Sequence, residues 1–562
     1  MSNQINYVMT KRILNSLTTD NIKVSFFLLL ALFISLIMIS PKWNIGIFSF
    51  LAYSVNLRYF RNVKIWKAIL LTLYVYSSAT FIANQGVMPF SGPLMLTFIL
   101  INGTIQLIPF ILDKIMYKRL PGGLSVFIFP AAAIVVDSFI AHGPKGTFGN
   151  IAYTMVDFNI LMQLVSVTGI WGVAFLIYLF ASVVNQILEN RTDIAFVIRY
   201  SVIYVSLFSL VILFGFFRLQ SGKSSLANAE TVKLASVTSE NVQWFIAVNK
   251  AVTGETMVFP KKLDQTSPEI IAFQSSFNEF ILDHNNPRYD SVYVALDNFC
   301  NEIFEFSQKA ADAGAKGILL SESEIITFED REKHIIEKTK AFAKKNEVYY
   351  FFAMTTIFPE RMVAKMAYSG NKIISISPSG EIMDIYYKNV PVVEVDPSIP
   401  GDGKIDIIET PFGNFSPVIC YDADFPDLMK QTGNNGTDII LVATGDWYSI
   451  TPYHSKIGVI RSIENGVSMF KTASYGLSLA ADPYGNILAE DDFFTDENHI
   501  MIADVPVQRV KTMYSAVGDI LILLSQIYLL VLIVYLLSSS MIKKMRKYKI
   551  YDFIRNKLFS AK

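Results

Sequence analysis

Residues 417–426, Pro417-Val-Ile-Cys420-Tyr-Asp-Ala-Asp-Phe-Pro426, decide how this chain is interpreted. A short apolar run ends here in a cysteine, and acidic residues and a proline follow it. The pattern predicts a buried strand that breaks into a turn at Cys420, where a thiol can be held at a strand end and presented to a substrate. The chain has only two cysteines, which cannot form a disulfide framework. Cys420 is therefore the first candidate nucleophile.

The composition around this stretch is that of a membrane protein. Apolar residues make up 52% of the 562 residues, and charged residues only 17%, well below the roughly 25% of soluble domains. The formal net charge is zero, so no overall field favours nucleic acid as a partner. The length predicts two or more structural parts.

Long apolar runs cluster at the two ends of the chain. They lie at about 24–40, 45–57, 68–84, 93–112, 124–141, 161–187, 200–217 and 520–542. Most reach the ~17–25 residues that cross a bilayer core. We predict a transmembrane bundle of about seven spans over residues 1–220 and a final span over 518–542. Polar residues 41–43 follow the first run without a small-residue cleavage site, so no cleavable signal is expected.

The basic residues predict the orientation of these spans. They lie before the first span, between the second and third, after the fourth, between the sixth and seventh, and after the last. They are Lys11, Arg12, Lys23, Arg58, Arg61, Lys64, Lys67, Lys114, Lys118, Arg119, Arg191, Arg199, Lys543, Lys544, Arg546, Lys547 and Lys549. The positive-inside rule then predicts cytoplasmic termini, including a basic cytoplasmic tail at 543–562, and places residues 218–518 on the outer face.

Between about 230 and 510 the pattern changes to short apolar strands alternating with helices, which predicts a layered α/β domain. Strands are expected at 232–237, 317–320, 348–353, 372–377, 381–386, 438–443 and 468–473, and helices at 292–313 and 330–345. Pro378-Ser-Gly380 predicts a hairpin between two of the strands. Residues 245–290 fit this alternation poorly and are expected to form an insertion or a mobile arm.

Three of the predicted strand ends carry candidate catalytic groups. They are Glu322, Lys388 and Cys420. Glu322 could take the thiol proton, because a thiol needs a general base to become the nucleophilic thiolate. Lys388, assisted by the Tyr421 backbone N–H, could stabilise the oxyanion of a tetrahedral intermediate. Each residue alone also has a purely structural interpretation. Glu322 and Lys388 could be helix caps or solvated surface charges, and Cys420 could be an inert core residue.

Taken together, these residues resemble the nitrilase superfamily, whose Glu–Lys–Cys triad comes in this order near strand ends. The chain is still more similar to the membrane-bound branch of that superfamily, the apolipoprotein N-acyltransferases. The segments that carry the resemblance are Val418–Pro426, Thr444-Gly-Asp-Trp447, Arg461-Ser-Ile-Glu464-Asn-Gly466, and Gln163 with Thr168-Gly-Ile-Trp-Gly172. The resemblance implies an α-helical transmembrane bundle joined to a nitrilase-like α-β-β-α sandwich over about 230–510.

By this resemblance, Glu322 is the general base, Lys388 stabilises the oxyanion and Cys420 is the acylated nucleophile. A further essential glutamate of the family corresponds best to Glu394, which would orient Lys388, although Asp396 competes for the role.

The resemblance also implies supporting residues near the nucleophile. Asp422 stands where the family usually has a glutamate two residues after the cysteine. Trp447 would line the acyl or substrate cleft, unless it is a buried core residue. Arg461 and Glu464, three apart in a predicted helix, could form an intrahelical ion pair.

The implied reaction moves an acyl chain from a membrane phospholipid, through a thioester on Cys420, to the N-terminal amine of a diacylglyceryl-cysteine lipoprotein. The expected setting is the bacterial cytoplasmic (inner) membrane, with a monomer whose catalytic domain faces outward. No cofactor is implied, and no metal is expected because the five histidines show no paired ligand spacing.

Three alternatives stay open. They are an amidohydrolase that uses water as acceptor, a cysteine protease that pairs Cys420 with His454, and a catalytically dead scaffold. Cys300, on the predicted helix at 292–313, is expected to be a buried structural thiol.

Overall fold

The computed structural model describes residues 22–120, 122–496 and 499–547. Lys11, Arg12 and Lys549 of the orientation argument, and the predicted tail beyond residue 547, lie outside the described residues.

Helices fill the N-terminal part of the chain. They are α1 (Ile22–Met38), α2 (Ile47–Asn62), α3 (Ile65–Ala83), α4 (Gly92–Gln106), α5 (Ile108–Met116), α6 (Ile128–Ala141), α7 (Asn159–Met162), α8 (Val165–Thr168), α9 (Ile170–Glu189) and α10 (Ile194–Leu226). Across the described chain, six helical stretches are long and apolar enough to cross a membrane, five of them in this part and one at Ile520–Ser538. The chain is a multi-pass membrane protein. Because α1 and α2 have only 17 and 16 residues, the count of seven N-terminal spans stays a prediction.

Two of the predicted runs are broken in the structure. The run at 93–112 forms α4 and α5, and Pro109 lies in the first turn of α5, where its missing N–H costs least. The run at 161–187 forms α7, α8 and α9, with Gly169 at φ +61° between the last two helices. A Cβ on Gly169 would come within 2.5 Å of a ring carbon of Tyr514. Gly169 therefore permits both the turn and the close packing of α9 against the C-terminal part of the chain.

Thirteen strands and the helices around them follow the bundle within the described residues. The strands are β1 (Thr231–Val237), β2 (Gly317–Leu320), β3 (Ile325–Phe328), β4 (Tyr349–Ile357), β5 (Ser369–Ile376), β6 (Ile382–Tyr387), β7 (Ile408–Thr410), β8 (Gly413–Ile419), β9 (Ile439–Gly445), β10 (Ser468–Ser474), β11 (Leu477–Ala481), β12 (Ile487–Asp492) and β13 (Ile502–Pro506). The helices are α11 (Gln243–Thr253), α12 (Pro268–Leu282), α13 (Asp290–Asp312), α14 (Glu329–Asn346), α15 (Pro359–Val363), α16 (Pro426–Asn435), α17 (Tyr453–Asn465), α18 (Met513–Val517) and α19 (Ile520–Lys547).

The strands form two sheets that pack face to face. One sheet has the order β13-β1-β2-β4-β5-β6, with β3 paired to β4, and the other has the order β12-β11-β10-β9-β8-β7. β2 contacts β9 and β5 contacts β8 across the interface, while α13 packs on β1 and α17 on β10 and β11. This is the predicted nitrilase-like α-β-β-α sandwich. The hairpin predicted at 378–380 is also present, since β5 and β6 pair antiparallel.

Of the two expectations for residues 245–290, an insertion or a mobile arm, the mobile arm is wrong. The segment contains most of α11 and all of α12, which pack on each other and against the sandwich. Trp244, Val248 and Phe280 are buried in the domain core, and the rings of Trp244 and Phe273 lie 5.5 Å apart. The two helices were difficult to predict from the sequence because an irregular stretch of 14 residues separates them.

Buried polar contacts join α17 of the sandwich to the helical bundle. Arg461 and Glu464, both fully buried, form the ion pair that their spacing predicted. Arg461 also donates to the hydroxyl of Tyr153, and a Glu464 oxygen accepts from the Ile170 backbone N–H at 2.9 Å. The side of the sandwich that carries α17 is therefore anchored on the bundle.

Candidate active site

Four strand ends converge to build the site. Glu322 lies two residues after β2, Lys388 directly follows β6, and Cys420 directly follows β8. Gly445 is the last residue of β9, which runs parallel to β8. Because β2 contacts β9 and both β5 and β6 contact β8 across the interface, the ends of these strands from the two sheets meet.

Glu322 is fixed by three hydrogen-bond donors. Its Oε1 accepts from Lys388 Nζ at 2.6 Å and from Asn371 Nδ2 at 2.7 Å, and its Oε2 accepts from the Gly445 N–H at 3.0 Å. The three donors leave acceptor capacity on Oε2. The carboxylate is therefore held in a fixed orientation with one oxygen still able to accept a further hydrogen bond.

Cys420 begins a tight turn and is 5% exposed. Its φ of +47° lies in the left-handed region, which non-glycine residues rarely adopt and which marks strain at functional sites. Its Sγ lies 4.0 Å from the carbonyl oxygen of Gly445, the residue whose N–H binds Glu322. Burial and the charge of Glu322 raise the pKa of the Cys420 thiol, while Lys388 opposes this shift. A thiol with a raised pKa needs a base before it can become a thiolate.

Asp396, rather than Glu394, contacts Lys388. The Asp396 Oδ2 lies 2.7 Å from Lys388 Nζ. Burial alone would lower the pKa of Lys388, but Glu322 and Asp396 outweigh it and raise that pKa well above its usual range. Glu394 is exposed, has a φ of +68° and lines a cavity instead. The expectation that Glu394 orients Lys388 is corrected. The loop after β6 directs the Glu394 side chain into the cavity and places Asp396, which is one methylene shorter, against Lys388.

Asp422 lies in the turn that begins at Cys420 and is fully buried. Its carboxylate accepts from the Val390 N–H at 2.7 Å, from the Tyr386 hydroxyl at 2.8 Å and from the Asn389 N–H at 3.2 Å. These contacts tie the turn that carries Cys420 to the backbone that follows Lys388. Burial raises the pKa of Asp422 to about 6, against the effect of these donors.

A histidine lies on the other side of Cys420. The Cys420 Sγ, a carboxylate oxygen of Asp446 and a ring nitrogen of His454, all atoms of the kind that can bind a metal ion, lie within 4.8 Å of one another. His454 Nδ1 is 2.6 Å from Asp446 Oδ1, and His454 Nε2 is 3.3 Å from Asp424 Oδ2. Burial and Lys471 lower the pKa of His454, but Asp446 and Asp424 outweigh them and raise it to about 9. Each ring nitrogen therefore faces a carboxylate, which does not fit the neutral base that a cysteine protease requires.

A cavity of about 320 Å³ extends from Cys420 to the helical bundle. Cys420, Tyr421, Glu394 and Trp447 line its sandwich end. The bundle contributes mainly apolar and aromatic walls, including Leu36, Tyr76, Val87, Phe90, Leu94, Phe98 and Ile99. The Trp447 indole donates to the Gly86 carbonyl oxygen at 2.8 Å, so this residue both lines the cavity and contacts the bundle. Such walls suit an acyl chain, with the thiol at one end.

The two-sheet sandwich with a cysteine at a strand end defines a carbon–nitrogen hydrolase domain of the nitrilase type. A family model of carbon–nitrogen hydrolases matches residues 287–514. A second model, of the apolipoprotein N-acyltransferase N-terminal domain, matches residues 16–183. Both parts of the chain are thus matched in order: an apolipoprotein N-acyltransferase N-terminal domain is followed by a carbon–nitrogen hydrolase domain.

Relatives with that name align over different lengths. The apolipoprotein N-acyltransferase of Rickettsia prowazekii is 34% identical over 142 residues, which is 25% of this chain and 28% of the relative. The apolipoprotein N-acyltransferase 1 of Treponema denticola is 25% identical over 451 residues, which is 74% of this chain and 78% of the relative. The apolipoprotein N-acyltransferase of Borreliella burgdorferi is 21% identical over 66% of this chain and 67% of the relative. A solved amidase from Nesterenkonia sp. covers 51% of this chain and 93% of its own at 14% identity, with a TM-score of 0.33.

Sequence reasoning missed several residues of the site. Asn371 and Gly445 donate to Glu322 from 49 and 123 positions away in the chain, and Asp446 contacts His454. Gly445 and Asp446 lie in Thr444-Gly-Asp-Trp447, one of the segments that carry the resemblance, but that segment assigned them no role. Asn371 directly precedes a predicted strand and belongs to no motif. Their positions relative to one another follow only from the pairing of the sheets.

Proposed function

We propose that the protein is an apolipoprotein N-acyltransferase with a Glu322–Lys388–Cys420 triad. In this proposal it transfers an acyl chain from a membrane phospholipid to the N-terminal amine of a diacylglyceryl-cysteine lipoprotein. The main support is one arrangement: a strained, buried thiol lies beside a Lys388–Glu322 pair and opens into an apolar cavity shared with the membrane bundle. Acyl chains can then reach the thiol without leaving apolar surroundings.

In the first half-reaction, Glu322 takes the proton from Cys420 as Sγ attacks the ester carbonyl carbon of the phospholipid. Lys388 and the Tyr421 N–H stabilise the oxyanion that forms. When the intermediate collapses, the carbon–oxygen ester bond breaks and Glu322 returns the proton to the departing oxygen. The products are a thioester on Cys420 and a lysophospholipid.

In the second half-reaction, the lipoprotein amine attacks the thioester carbonyl. Glu322 takes a proton from the attacking nitrogen, the carbon–sulfur bond breaks, and the proton passes to the departing sulfur. An amide forms and the Cys420 thiol is restored. Asp396 supports both steps as a positioning residue, because it keeps Lys388 charged and in place.

The proposed setting is the bacterial inner membrane with the sandwich on its outer face. The distribution of Lys and Arg between the predicted spans supports this orientation. The donor ester and the lipid-anchored acceptor would then approach the cavity from the same membrane surface. A monomer suffices for this mechanism, since every group used in it comes from one chain.

The test is mass spectrometry of the purified protein after mixing with phospholipid. We expect an acyl adduct on Cys420 in the wild type and none in Cys420→Ala, and N-acylated lipoprotein peptides only in cells with the wild type. A Cys420 adduct released as free fatty acid, with no lipoprotein N-acylation, would instead indicate a hydrolase that uses water as acceptor. Absence of any adduct would reject the proposed chemistry.

A further inference from the structure

Lys145 lies in a loop that is fixed to the nucleophile turn. The Tyr421 hydroxyl donates to the carbonyl oxygen of Pro144 at 2.9 Å. On the other side of Lys145, the backbone N–H and the hydroxyl of Thr147 both donate to the Asp424 carbonyl oxygen, at 2.9 and 2.7 Å. The residues flanking Lys145 therefore contact both ends of the turn that begins at Cys420.

The ammonium of Lys145 has no carboxylate partner in direct contact. The side chain lines the cavity, and no carboxylate oxygen of the residues that the structure describes lies within 4.0 Å of its Nζ. Burial lowers the pKa of Lys145, and the charge of Asp137 only partly opposes this. Asp137 itself accepts from the Tyr178 hydroxyl at 2.6 Å. A partly buried cation without a contacting anion is costly, so an anionic ligand at this position would stabilise it.

The other charges of the cavity determine where an anion can lie. Of the described residues that line it, Lys145 and His454 are the basic ones. His454 is placed between Asp446 and Asp424, so its charge is already compensated. Glu394 and Asp424 line the sandwich side of the cavity, and their carboxylates would repel an anionic ligand there. An anionic group bound near Cys420 is therefore directed to Lys145.

We propose that Lys145 binds the phosphodiester of the glycerophospholipid donor while the ester carbonyl lies at Cys420. This inference rests on the proposed function. Ester and phosphodiester are held a few bonds apart on one glycerol unit, and Lys145 and Cys420 lie on two contacting segments of the same cavity. All glycerophospholipids that carry a headgroup share the phosphodiester, so Lys145 distinguishes them from uncharged acyl esters without selecting a headgroup.

The experiment compares two acyl donors in mixed micelles, a phospholipid and the diacylglycerol with the same acyl chains. Cys420 acylation is measured as a function of donor concentration in wild type, Lys145→Gln and Lys145→Arg. We expect Lys145→Gln to raise KM for the phospholipid about 10-fold or more, the usual effect of losing a charge-assisted hydrogen bond. Its KM for diacylglycerol should stay within about twofold of wild type. Lys145→Arg should stay close to wild type with both donors.

Lys456→Gln is the matched control. It also removes one lysine charge where α17 meets the bundle, but Lys456 Nζ pairs with Asp157 at 2.5 Å and does not line the cavity. Unchanged kinetics in Lys145→Gln, or an equal loss with both donors, would overturn the inference. If Lys145→Gln fails to fold, a wild type that uses both donors with equal KM overturns it as well. A wild type that phospholipid never acylates would reject the proposed function itself, and this inference with it.

Discussion

At the scale of single residues, Asp396 is the group whose role the structure changes most. It forms a buried ion pair with Lys388 and accepts from the Ser398 N–H at 3.0 Å. We expect Asp396→Asn to slow Cys420 acylation about 10- to 100-fold, because one of the two carboxylates that fix Lys388 becomes neutral. The measurement is the single-turnover rate of thioester formation with phospholipid.

The matched variant is Glu394→Gln, which removes a carboxylate from the same loop without touching Lys388. Its exposed side chain predicts a rate within about threefold of wild type. A larger loss in Glu394→Gln than in Asp396→Asn would return the orienting role to Glu394 and contradict the observed contact.

Because of His454, the folding stability of the protein should fall as the pH becomes alkaline. Its pKa is raised from the ordinary 6.5 to about 9, so its contribution to folding is complete below pH 6.5 and is lost as the pH rises through 9. The shift corresponds to about 3 kcal/mol. We expect the thermal unfolding midpoint to fall between pH 7 and pH 10 in the wild type. In His454→Gln the midpoint should be lower at pH 7 and nearly flat over the same range; an equally steep fall in that variant would contradict the assignment.

The three residues proposed as a triad could be chosen from the sequence because each follows an apolar run at a predicted strand end. The residues that contact them could not be chosen in this way. Asn371 lies 49 positions from Glu322, and Gly445 lies 123 positions from it. Nor does the sequence reveal that Cys420 adopts a positive φ, since that conformation is imposed by the packing around the turn.

At the scale of elements, α17 carries the buried pair Arg461–Glu464 and thereby joins the sandwich to the bundle. Glu464→Gln leaves a guanidinium that cannot lose its charge, and we expect it to cost about 3–5 kcal/mol of stability. Arg461→Gln should cost less, because burial already raises the pKa of Glu464 to about 7 and the lone carboxyl can take up a proton. Thermal unfolding of both variants in detergent tests this order, and a larger loss in Arg461→Gln would contradict it.

Strands were predicted more reliably than the helices around them. The expected strands at 232–237, 348–353 and 468–473 match β1, β4 and β10 to within a few residues, because buried strands are short, continuous apolar runs. The helices α11 and α12 were missed, since each buries only a few large side chains. Breaks inside apolar runs, as at Gly169, were also missed, because hydropathy does not register backbone turns.

At the scale of the whole molecule, the two parts form one functional unit. The bundle supplies the apolar walls of the cavity and the loop that carries Lys145, while the sandwich supplies Cys420 and its partners. Trp447 and Arg461 connect them by donating to Gly86 and Tyr153 of the bundle. The composition alone predicts both parts, but a site between them depends on contacts between residues more than 300 positions apart.

The proposed orientation leads to a labelling prediction for intact cells. In a Cys300→Ser background, Lys404→Cys places a thiol on the sandwich at a side chain that is 70% exposed, and Arg191→Cys places one at an exposed position between α9 and α10. A membrane-impermeant maleimide should label Lys404→Cys in intact cells and Arg191→Cys only after permeabilisation, because the sandwich is predicted outside and the α9–α10 loop inside. The Cys300→Ser parent corrects for labelling of Cys420. The reverse pattern would place the sandwich in the cytoplasm and overturn the orientation.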